Sequence, residues 1–129
     1  MFYTFSYTPT AADTEANPYE LKMKLTAGVI HQVDVLFQDG CNHQEFVQIR
    51  LENFQLWPSN RPGSMRGNAT VISFREFYEL HTGMSILTAN IWTTLTEDFA
   101  EILINVGLLP KEIIQPFSFQ ELLEAAMAD

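Results

Sequence analysis

The segment Asp39-Gly40-Cys41-Asn42-His43 places a carboxylate, a thiol and an imidazole within one turn. Thiolate and imidazole ligands suit a soft divalent metal such as zinc. A structural zinc site usually has four protein ligands, and no second Cys/His pair stands elsewhere in the chain. The simpler interpretation is therefore that Cys41 is a small buried residue and that His43 is solvated. We predict no metal and no cofactor.

Nucleophilic catalysis would need a Ser or Cys beside a base and an orienting group. The fold would have to bring His31 or His81 close to Cys41. Most chains of this length contain a Cys and a His that could meet in this way, so the pattern is not specific. The segment Gly83-Met84-Ser85 lacks the strand, turn and helix of a nucleophile elbow. The sequence thus predicts a protein that is not an enzyme. A small enzyme or metal-binding protein built on Cys41 and His43 is the third hypothesis.

Paired carboxylates are a further route to catalysis, because glycoside hydrolysis uses two acids that face one substrate. The candidate pairs are Glu76 with Glu79 and Glu97 with Asp98. Within a strand, either spacing puts the two acids on opposite faces. We therefore interpret them as surface and turn charges.

Exposed aromatic rings are another way to bind ligands, because sugars stack on them. The chain has two tryptophans, Trp57 and Trp92. Trp57 precedes Pro58 at the end of a predicted strand, which suits a position at the rim, whereas Trp92 falls in an alternating stretch typical of a core. A carbohydrate- or cell-surface-binding module that uses Trp57 is accordingly the second hypothesis.

The charge balance argues against a nucleic-acid partner. Sixteen acidic and seven basic residues give a net charge of −9, which repels a phosphate backbone at long range. Arg61 and Arg66 share one polar loop and would reverse the charge only locally. The basic residues are scattered along the sequence, at Lys22, Lys24, Arg50, Arg61, Arg66, Arg75 and Lys111.

Signals for a cellular location are few. The amino terminus, Met1-Phe2-Tyr3-Thr4-Phe5, lacks the basic and apolar regions of a secretory signal. A single cysteine forms no intramolecular disulfide, which fits a reducing compartment. The apolar runs are far shorter than the roughly 18 residues of a membrane span. We expect no membrane insertion, and a location in the cytoplasm or in a virion or other particle assembled inside the cell.

Alternation of apolar and polar residues, the signature of half-buried strands, recurs through most of the chain. In one such segment, His31 and Val33 fall on the same predicted buried face. A last segment, 99–107, alternates like a strand, but an acidic turn after Thr96 and a stop at Gly107 fit a short helix nearly as well. The predicted strands cover 2–7, 20–26, 29–37, 45–51, 54–57, 70–77, 84–93 and, with this alternative, 99–107.

Several short strands joined by turns predict an all-β fold, an antiparallel two-sheet sandwich or jelly roll of about seven or eight strands. Connections this short leave no room for the crossover helices of a parallel sheet. Asp39-Gly40 is a turn signal of the kind that supplies positive φ. The predicted sandwich domain spans 1–109, of which 1–18 forms an amino-terminal strand and arm.

The character of the sequence changes in 110–129, the predicted helical tail. Apolar residues recur there at helical spacing, and Ser118 followed by Glu121 makes a capping box. A helix of about ten residues is marginal alone, so its apolar side should pack on its own domain or on a neighbour. With the amino-terminal strand it provides the predicted oligomer interface, which comprises Phe2, Tyr3, Phe5, Ile113, Ile114, Phe117, Phe119, Leu122, Leu123 and Met127.

Part of the chain resembles small uncharacterised β-sandwich proteins of phage and phage-like genomes. The resemblance rests on the run 25–37, continued by Gly40-Cys41, by 55–60 and by 71–74, and it spans roughly 19–110. It implies a virion- or capsid-associated sandwich in which Gly28 and Gly40 occupy turns. No functional residue carries over from it.

The first functional hypothesis is therefore a non-enzymatic structural protein that self-assembles. We expect a homo-oligomer, as a decoration, capsid or appendage subunit of a virion, with other virion or surface proteins as further partners. Apolar surface beyond the needs of a sandwich normally marks such an interface.

Overall fold

The computed structural model describes residues 1–81 and 86–110. These residues form eight β-strands in two antiparallel sheets, which confirms the predicted all-β sandwich. The strands are β1 (Phe2–Tyr7), β2 (Tyr19–Lys24), β3 (Gly28–Phe37), β4 (Glu45–Leu51), β5 (Phe54–Trp57), β6 (Thr70–Leu80), β7 (Ile86–Thr93) and β8 (Ile102–Leu109).

The strand pairing is that of one long hairpin rolled into two sheets. β1 pairs with β8, β2 with β7, β3 with β6 and β4 with β5. Rolling the hairpin adds the pairs β3 with β8 and β4 with β7. The first sheet has the order β1-β8-β3-β6 and the second sheet the order β2-β7-β4-β5. This is the jelly-roll arrangement of an eight-stranded double sheet.

The longer loops gather at one end of the sandwich, which we call the loop end. The last residues of β1 and β3, Tyr7 and Phe37, both lie beside Ile102 at the start of β8. Backbone hydrogen bonds join neighbouring loops there, including one of 2.9 Å from Thr94 N to Gln44 O. The loops at this end are 8–18, 38–44, 58–69 and 94–101.

One hydrophobic core fills the space between the sheets. Its members occupy the inward positions of alternating strands, as in β4, where Val47 and Ile49 are fully buried between outward-facing neighbours. The observed limits of β1, β4 and β5 match the predicted strands 2–7, 45–51 and 54–57. Alternation is thus a sound guide to these strands, because each has one dry and one wet face.

A β-bulge in β3 makes one predicted face wrong. The pairing of β3 with β8 shifts register between Ile30 and Gln32. The extra residue reverses the alternation, so that Ile30 is fully buried and His31 is only half-buried. His31 therefore does not share the core face of Val33, as the period-two pattern predicts.

The bulged His31 depends on a glycine in the next strand. A Cβ at Gly107 would lie 2.7 Å from His31 Nε2 and 2.8 Å from a carbon of the Phe2 ring. The rings of Phe2 and His31 meet edge to face, with centroids 5.7 Å apart. Gly107 therefore permits a close approach of two rings over β8, rather than ending a helix.

The segment that fits either a strand or a helix is a strand. β8 lies between β1 and β3 in the first sheet, and Ile102, Ile104 and Val106 are fully buried. A helix here would leave β1 and β3 without their partner, so the helical alternative is wrong. The predicted tail beyond Pro110, and residues 84–85 of the predicted strand 84–93, lie outside the described residues.

Candidate functional site

The sandwich has two side edges, where the two sheets end next to each other. Strands β1 and β2 form one of them, and β5 and β6 form the other. Edge strands present backbone groups that are free to pair with another chain, so proteins usually protect them. The two edges of this molecule differ in how far they are protected.

The β1/β2 edge, which we call the closed edge, is bridged by stacked rings. Tyr7 of β1 and Tyr19 of β2 lie parallel, with centroids 3.8 Å apart and an interplanar angle of 4°. The Tyr7 hydroxyl donates a 2.5 Å hydrogen bond to Asp13 in the loop that joins the two strands. Asp13 also accepts from Thr93 N through its carbonyl oxygen, at 3.0 Å. Burial, reinforced by the Asp13 carboxylate, raises the pKa of Tyr7 to about 12.

The β5/β6 edge, which we call the open edge, joins strands of unequal length. β5 has four residues and β6 has eleven, so much of β6 extends beyond its neighbour across the sandwich. A hydrogen bond of 3.0 Å from Trp57 Nε1 to Glu76 Oε2 connects the two strands. The Trp57 ring also meets Phe74 and Tyr78 of β6, with centroids 5.5 and 6.1 Å away.

An irregularity in β6 positions Glu76 for that hydrogen bond. Arg75 pairs with Gln32, but the next pair joins Tyr78 to Ile30, so two residues of β6 face one of β3. Glu76 is one of these two residues and accepts from Trp57. The other, Phe77, is left 65% exposed. Bulges commonly redirect side chains in this way at sheet edges.

A cleft of about 330 Å³ opens between the two strands at this edge. Its lining is mainly apolar, with Arg75 and Glu76 at its polar side. An aromatic ring fits an apolar cavity of about 150 Å³, so the cleft has room for one side chain of a partner. The lining residues are Trp57, Pro58, Ser59, Met65, Ile72, Phe74, Arg75 and Glu76.

Large apolar side chains are exposed on both strands of this edge. Phe54 and Val71 are each 54% exposed, and Phe77 is 65% exposed. Exposed large apolar side chains on edge strands favour a contact with another chain. The open edge, defined by Phe54, Val71, Phe77 and the Trp57 cleft, is the candidate functional site.

The structure places Trp57 in the core rather than at an open rim. The side chain is only 5% exposed, and its ring is covered by Phe74 and Tyr78. A sugar needs an accessible ring face to stack on, and little of this ring is accessible. Trp57 therefore shapes the cleft as one wall, and the position before Pro58 indicates a strand end without indicating exposure.

The Cys41 segment forms a buried pair that the sequence analysis missed. Cys41 and Glu45 are both fully buried, and Glu45 Oε1 accepts a 2.8 Å hydrogen bond from Ala100 N. Burial, together with the Glu45 carboxylate, raises the pKa of Cys41 to about 11. Burial also raises the pKa of Glu45 above its usual range. The sequence does carry a signal for this burial, because Glu45 lies two residues before Val47 and therefore points to the same inward face of the strand.

The structure does not bring His43 into this pair. His43 is exposed, with a positive φ of 58°, and Gly40 adopts the positive φ, 107°, that the Asp39-Gly40 turn predicts. A thiol with a raised pKa is rarely ionised and is a poor nucleophile or metal ligand. Within residues 1–81 and 86–110, His, Cys, Asp and Glu form no group of three that could hold a metal ion.

The residues of the predicted oligomer interface fall in two regions. Phe2 is 61% exposed on the outer face of the first sheet, whereas Tyr3 and Phe5 are partly buried and pack against the core. The seven tail members lie outside the described residues, from Ile113 to Met127. The exposed residues of the open edge were absent from that prediction, because exposure on an edge strand depends on the order of strands.

No protein-family model, no curated protein and no solved structure matches this chain. The part of the chain that the structure describes contains no helix of the length and hydropathy needed to cross a membrane.

Proposed function

We propose that this protein is a non-enzymatic structural subunit that associates with copies of itself through the open edge. The observation that carries the proposal is Phe77, a large apolar side chain that is 65% exposed on the eleven-residue edge strand β6. Burying one such side chain in a contact contributes roughly 1.5–3 kcal/mol. A second apolar residue, Val71, is exposed on the same strand.

The open edge carries both a projecting ring and a cavity, which favours a second copy as its partner. In a two-fold contact each copy offers the same surface, so that Phe77 of one copy meets the cleft of the other and the reverse contact is made as well. The cleft volume of about 330 Å³ accommodates an aromatic ring. Aromatic residues are enriched at the centres of such interfaces.

The buried state of Cys41 supports the non-enzymatic part of the proposal. Its thiol has no exposed surface, and its raised pKa, about 11, keeps it protonated at neutral pH. Its neighbour Glu45 holds the loop residue Ala100 at 2.8 Å. A role in holding loops together explains this pair without any chemistry on a substrate.

We further propose that the assembly is a particle such as a virion, with the protein as a capsid, decoration or appendage subunit. The resemblance to phage sandwich proteins implies this role. Jelly rolls serve both in viral capsid subunits and in lectins, so the fold is compatible with the role and does not select it. Other particle or surface proteins would then be additional partners.

Measuring the mass in solution tests the proposal. The full chain, examined by sedimentation velocity, should form a species larger than the monomer, and Phe77→Ser combined with Val71→Ser should weaken the association at least about tenfold. Phe2→Ser is the matched control, because Phe2 is 61% exposed on the strand at the opposite edge, β1.

Two outcomes would overturn the open-edge contact. A full-length chain that remains monomeric at high concentration removes self-association altogether. Loss of association in Phe2→Ser, with no loss in the open-edge variant, would move the interface to the amino-terminal strand, where the sequence analysis predicts it.

A further inference from the structure

The basic residues that are scattered in the sequence lie mostly on one side of the folded molecule. Lys22 and Lys24 point outward from β2, and Arg50 points outward from β4. Two side-chain contacts confirm the outward direction in the second sheet: Lys22 Nζ lies 3.3 Å from Thr88 Oγ1, and Arg50 Nε lies 3.3 Å from Asn90 Oδ1. Three of the six cations in the described residues thus share one sheet face.

A loop adds two more cations to this side. Gln48 of β4 donates hydrogen bonds of 2.8 and 2.9 Å to the carbonyl oxygens of Pro62 and Gly63, which ties loop 58–69 to the second sheet. The loop contains Arg61 and Arg66 and no acidic residue. We call Lys22, Lys24, Arg50, Arg61 and Arg66 the basic face.

Little negative charge neutralises the basic face. Glu20 is the one acidic residue at an outward position of the four strands of the second sheet, and it lies 2.7 Å from Arg50 and 3.7 Å from Lys22. Glu52 in the turn after β4, whose carbonyl oxygen accepts from Arg50, adds a second carboxylate, so five cations and two carboxylates leave a surplus of three positive charges on this side of a chain whose net charge is −9. The charge distribution is therefore strongly polarised.

The two loop arginines are held over aromatic rings. The Arg61 guanidinium lies 4.2 Å above the centre of Phe54, and that of Arg66 lies 5.8 Å from the centre of Phe46. Phe46 in turn stacks on Trp92, with centroids 5.5 Å apart. Such contacts fix the cation while its N–H groups remain available to a carboxylate. Holding the side chains in place reduces the entropy lost on binding.

Three of the four loops at the loop end, 8–18, 38–44 and 94–101, carry the opposite charge. Five carboxylates are exposed there, and within residues 1–81 and 86–110 none of the five lies within ion-pair distance of a basic side chain. Glu97 and Asp98 line a concave, mostly polar cavity of about 290 Å³, together with Asn42 and Gln44. The five exposed acids are Glu15, Asp39, Glu97, Asp98 and Glu101.

We propose that the basic face of one copy binds the acidic loop end of another. The inference rests on the proposed self-association and adds a second, head-to-side contact, which links copies into rings or chains rather than closed pairs. Opposite charges on two surfaces of one chain make that chain its own complementary partner. A phosphate polymer fits less well, because the net charge of −9 repels it at long range.

Charge reversal tests this contact in the full chain. Arg61→Glu with Arg66→Glu, and separately Glu97→Lys with Asp98→Lys, should each weaken association about tenfold or more. An equimolar mixture of the two variants should associate again, because each supplies the surface that the other has lost. Thr4→Glu with Ser6→Glu is the control for added negative charge, since both side chains are exposed on β1 of the first sheet, outside the basic face and the open edge.

Salt separates this contact from the open-edge contact. Between about 0.1 M and about 1 M salt the Debye length falls from about 10 to about 3 Å, so the charged contact should weaken while the apolar one persists. Association that survives Phe77→Ser but is lost in salt supports the basic face and removes the open edge. Association that ignores salt and both charge reversals, but is lost in Phe77→Ser, overturns the basic-face proposal alone.

A binding experiment with a labelled single-stranded DNA oligonucleotide tests the alternative that the basic face binds a polyanion. The proposal expects no binding by the parent protein at about 0.1 M salt. Binding that is lost in Arg61→Glu with Arg66→Glu, while the mixture of charge-reversed variants fails to associate, would overturn the proposal in favour of a polyanion.

Discussion

The closed edge and the open edge border the same core, but they differ in what covers the gap between the sheets. At the closed edge, Tyr7 and Tyr19 stack on each other across the gap, and Asp13 ties the connecting loop to them. At the open edge, the aromatic residues Phe54 and Phe77 are exposed, and a cleft lies between the two strands.

The difference lies in the gap between the sheets, which stacked rings cover at the closed edge and which a cleft leaves open at the open edge, although Phe2 of β1 is itself 61% exposed. Aromatic side chains that stack within the chain leave little for a partner to bury. Exposed rings on an edge strand, next to a cavity of about 330 Å³, gain most when a partner covers them. We therefore expect substitutions at the closed edge to change folding, and those of exposed residues at the open edge to change association.

The largest effect should come from Trp57, the buried wall of the open edge. Trp57→Ala should lower the free energy of unfolding by about 3–5 kcal/mol, because it leaves a cavity in the core. Trp57→Phe keeps an aromatic ring but removes the hydrogen-bond donor to Glu76. Loss of this hydrogen bond should lower the free energy of unfolding by roughly 1 kcal/mol, in addition to the loss caused by the smaller ring. Urea unfolding at low protein concentration measures both. A loss below about 1 kcal/mol in Trp57→Ala would contradict the burial of the ring.

At the closed edge, Tyr7→Phe should lower the free energy of unfolding by about 1–2 kcal/mol at neutral pH, since it removes the hydrogen bond to Asp13. The pKa of Tyr7 is raised in the folded state from 10 to about 12. The stabilisation by its protonated hydroxyl is therefore complete below pH 10 and is lost as the pH rises through about 12.

Urea midpoints between neutral and alkaline pH test this assignment. The parent protein should lose stability as the pH rises above 10, the ordinary pKa of tyrosine, and Tyr7→Phe should show less of this loss. An equal alkaline loss in both proteins would place the titrating group away from the closed edge.

Glu45 lies in the core near the loop end, and its titration must be separated from that of Tyr7. Its folded pKa is raised by burial, so its contribution is complete below the ordinary value of 4.5 and declines as the pH rises through the folded pKa. Glu45→Gln should remove this decline. The free energy of unfolding of the variant, compared with that of the parent protein, should therefore be larger at neutral pH than at acid pH. Glu101→Gln, an exposed acid of the same loop end, is the control and should keep the decline.

The smallest effect on folding should come from the exposed residue Phe77. Phe77→Ser should change the free energy of unfolding by less than about 0.5 kcal/mol. Tyr19→Ser at the closed edge should cost about 0.5–1.5 kcal/mol, because its ring stacks on Tyr7 although it is 40% exposed. Equal costs for the two variants would erase the distinction between the edges.

The strands were readable from the sequence because one face of each is dry. The limits of β1, β4 and β5 follow directly from alternation. The bulge at His31 was not readable, because it depends on the register of β3 against β8 and on the space left by Gly107. The local alternation of residues predicts which side chains face inward. It does not predict which distant strand pairs with a given strand.

The candidate site was harder to predict than the strands. The partial burial of Phe5 is set by strand order, and the exposure of Phe77 by the register irregularity between β6 and β3; neither is visible in the local alternation. Likewise, the basic face joins residues from β2, β4 and loop 58–69 that lie far apart in the sequence. The burial of Glu45 is the exception, because it could be predicted from the sequence: Glu45 occupies the same alternating positions as the inward-facing apolar residues of the strand 45–51.

Hydrogen–deuterium exchange at rising protein concentration tests the central claim most directly, because it reports which edge becomes protected when copies meet. A concentration rise of about a hundredfold should carry an association of moderate affinity from mostly free to mostly bound. At about 1 M salt, where the charged contact is weakened, we predict that amides of β6 and β5 gain protection while those of β1 and β2 are unchanged. Protection confined to β1 and β2, or no change anywhere, would contradict the assignment of the open edge as the place where copies associate.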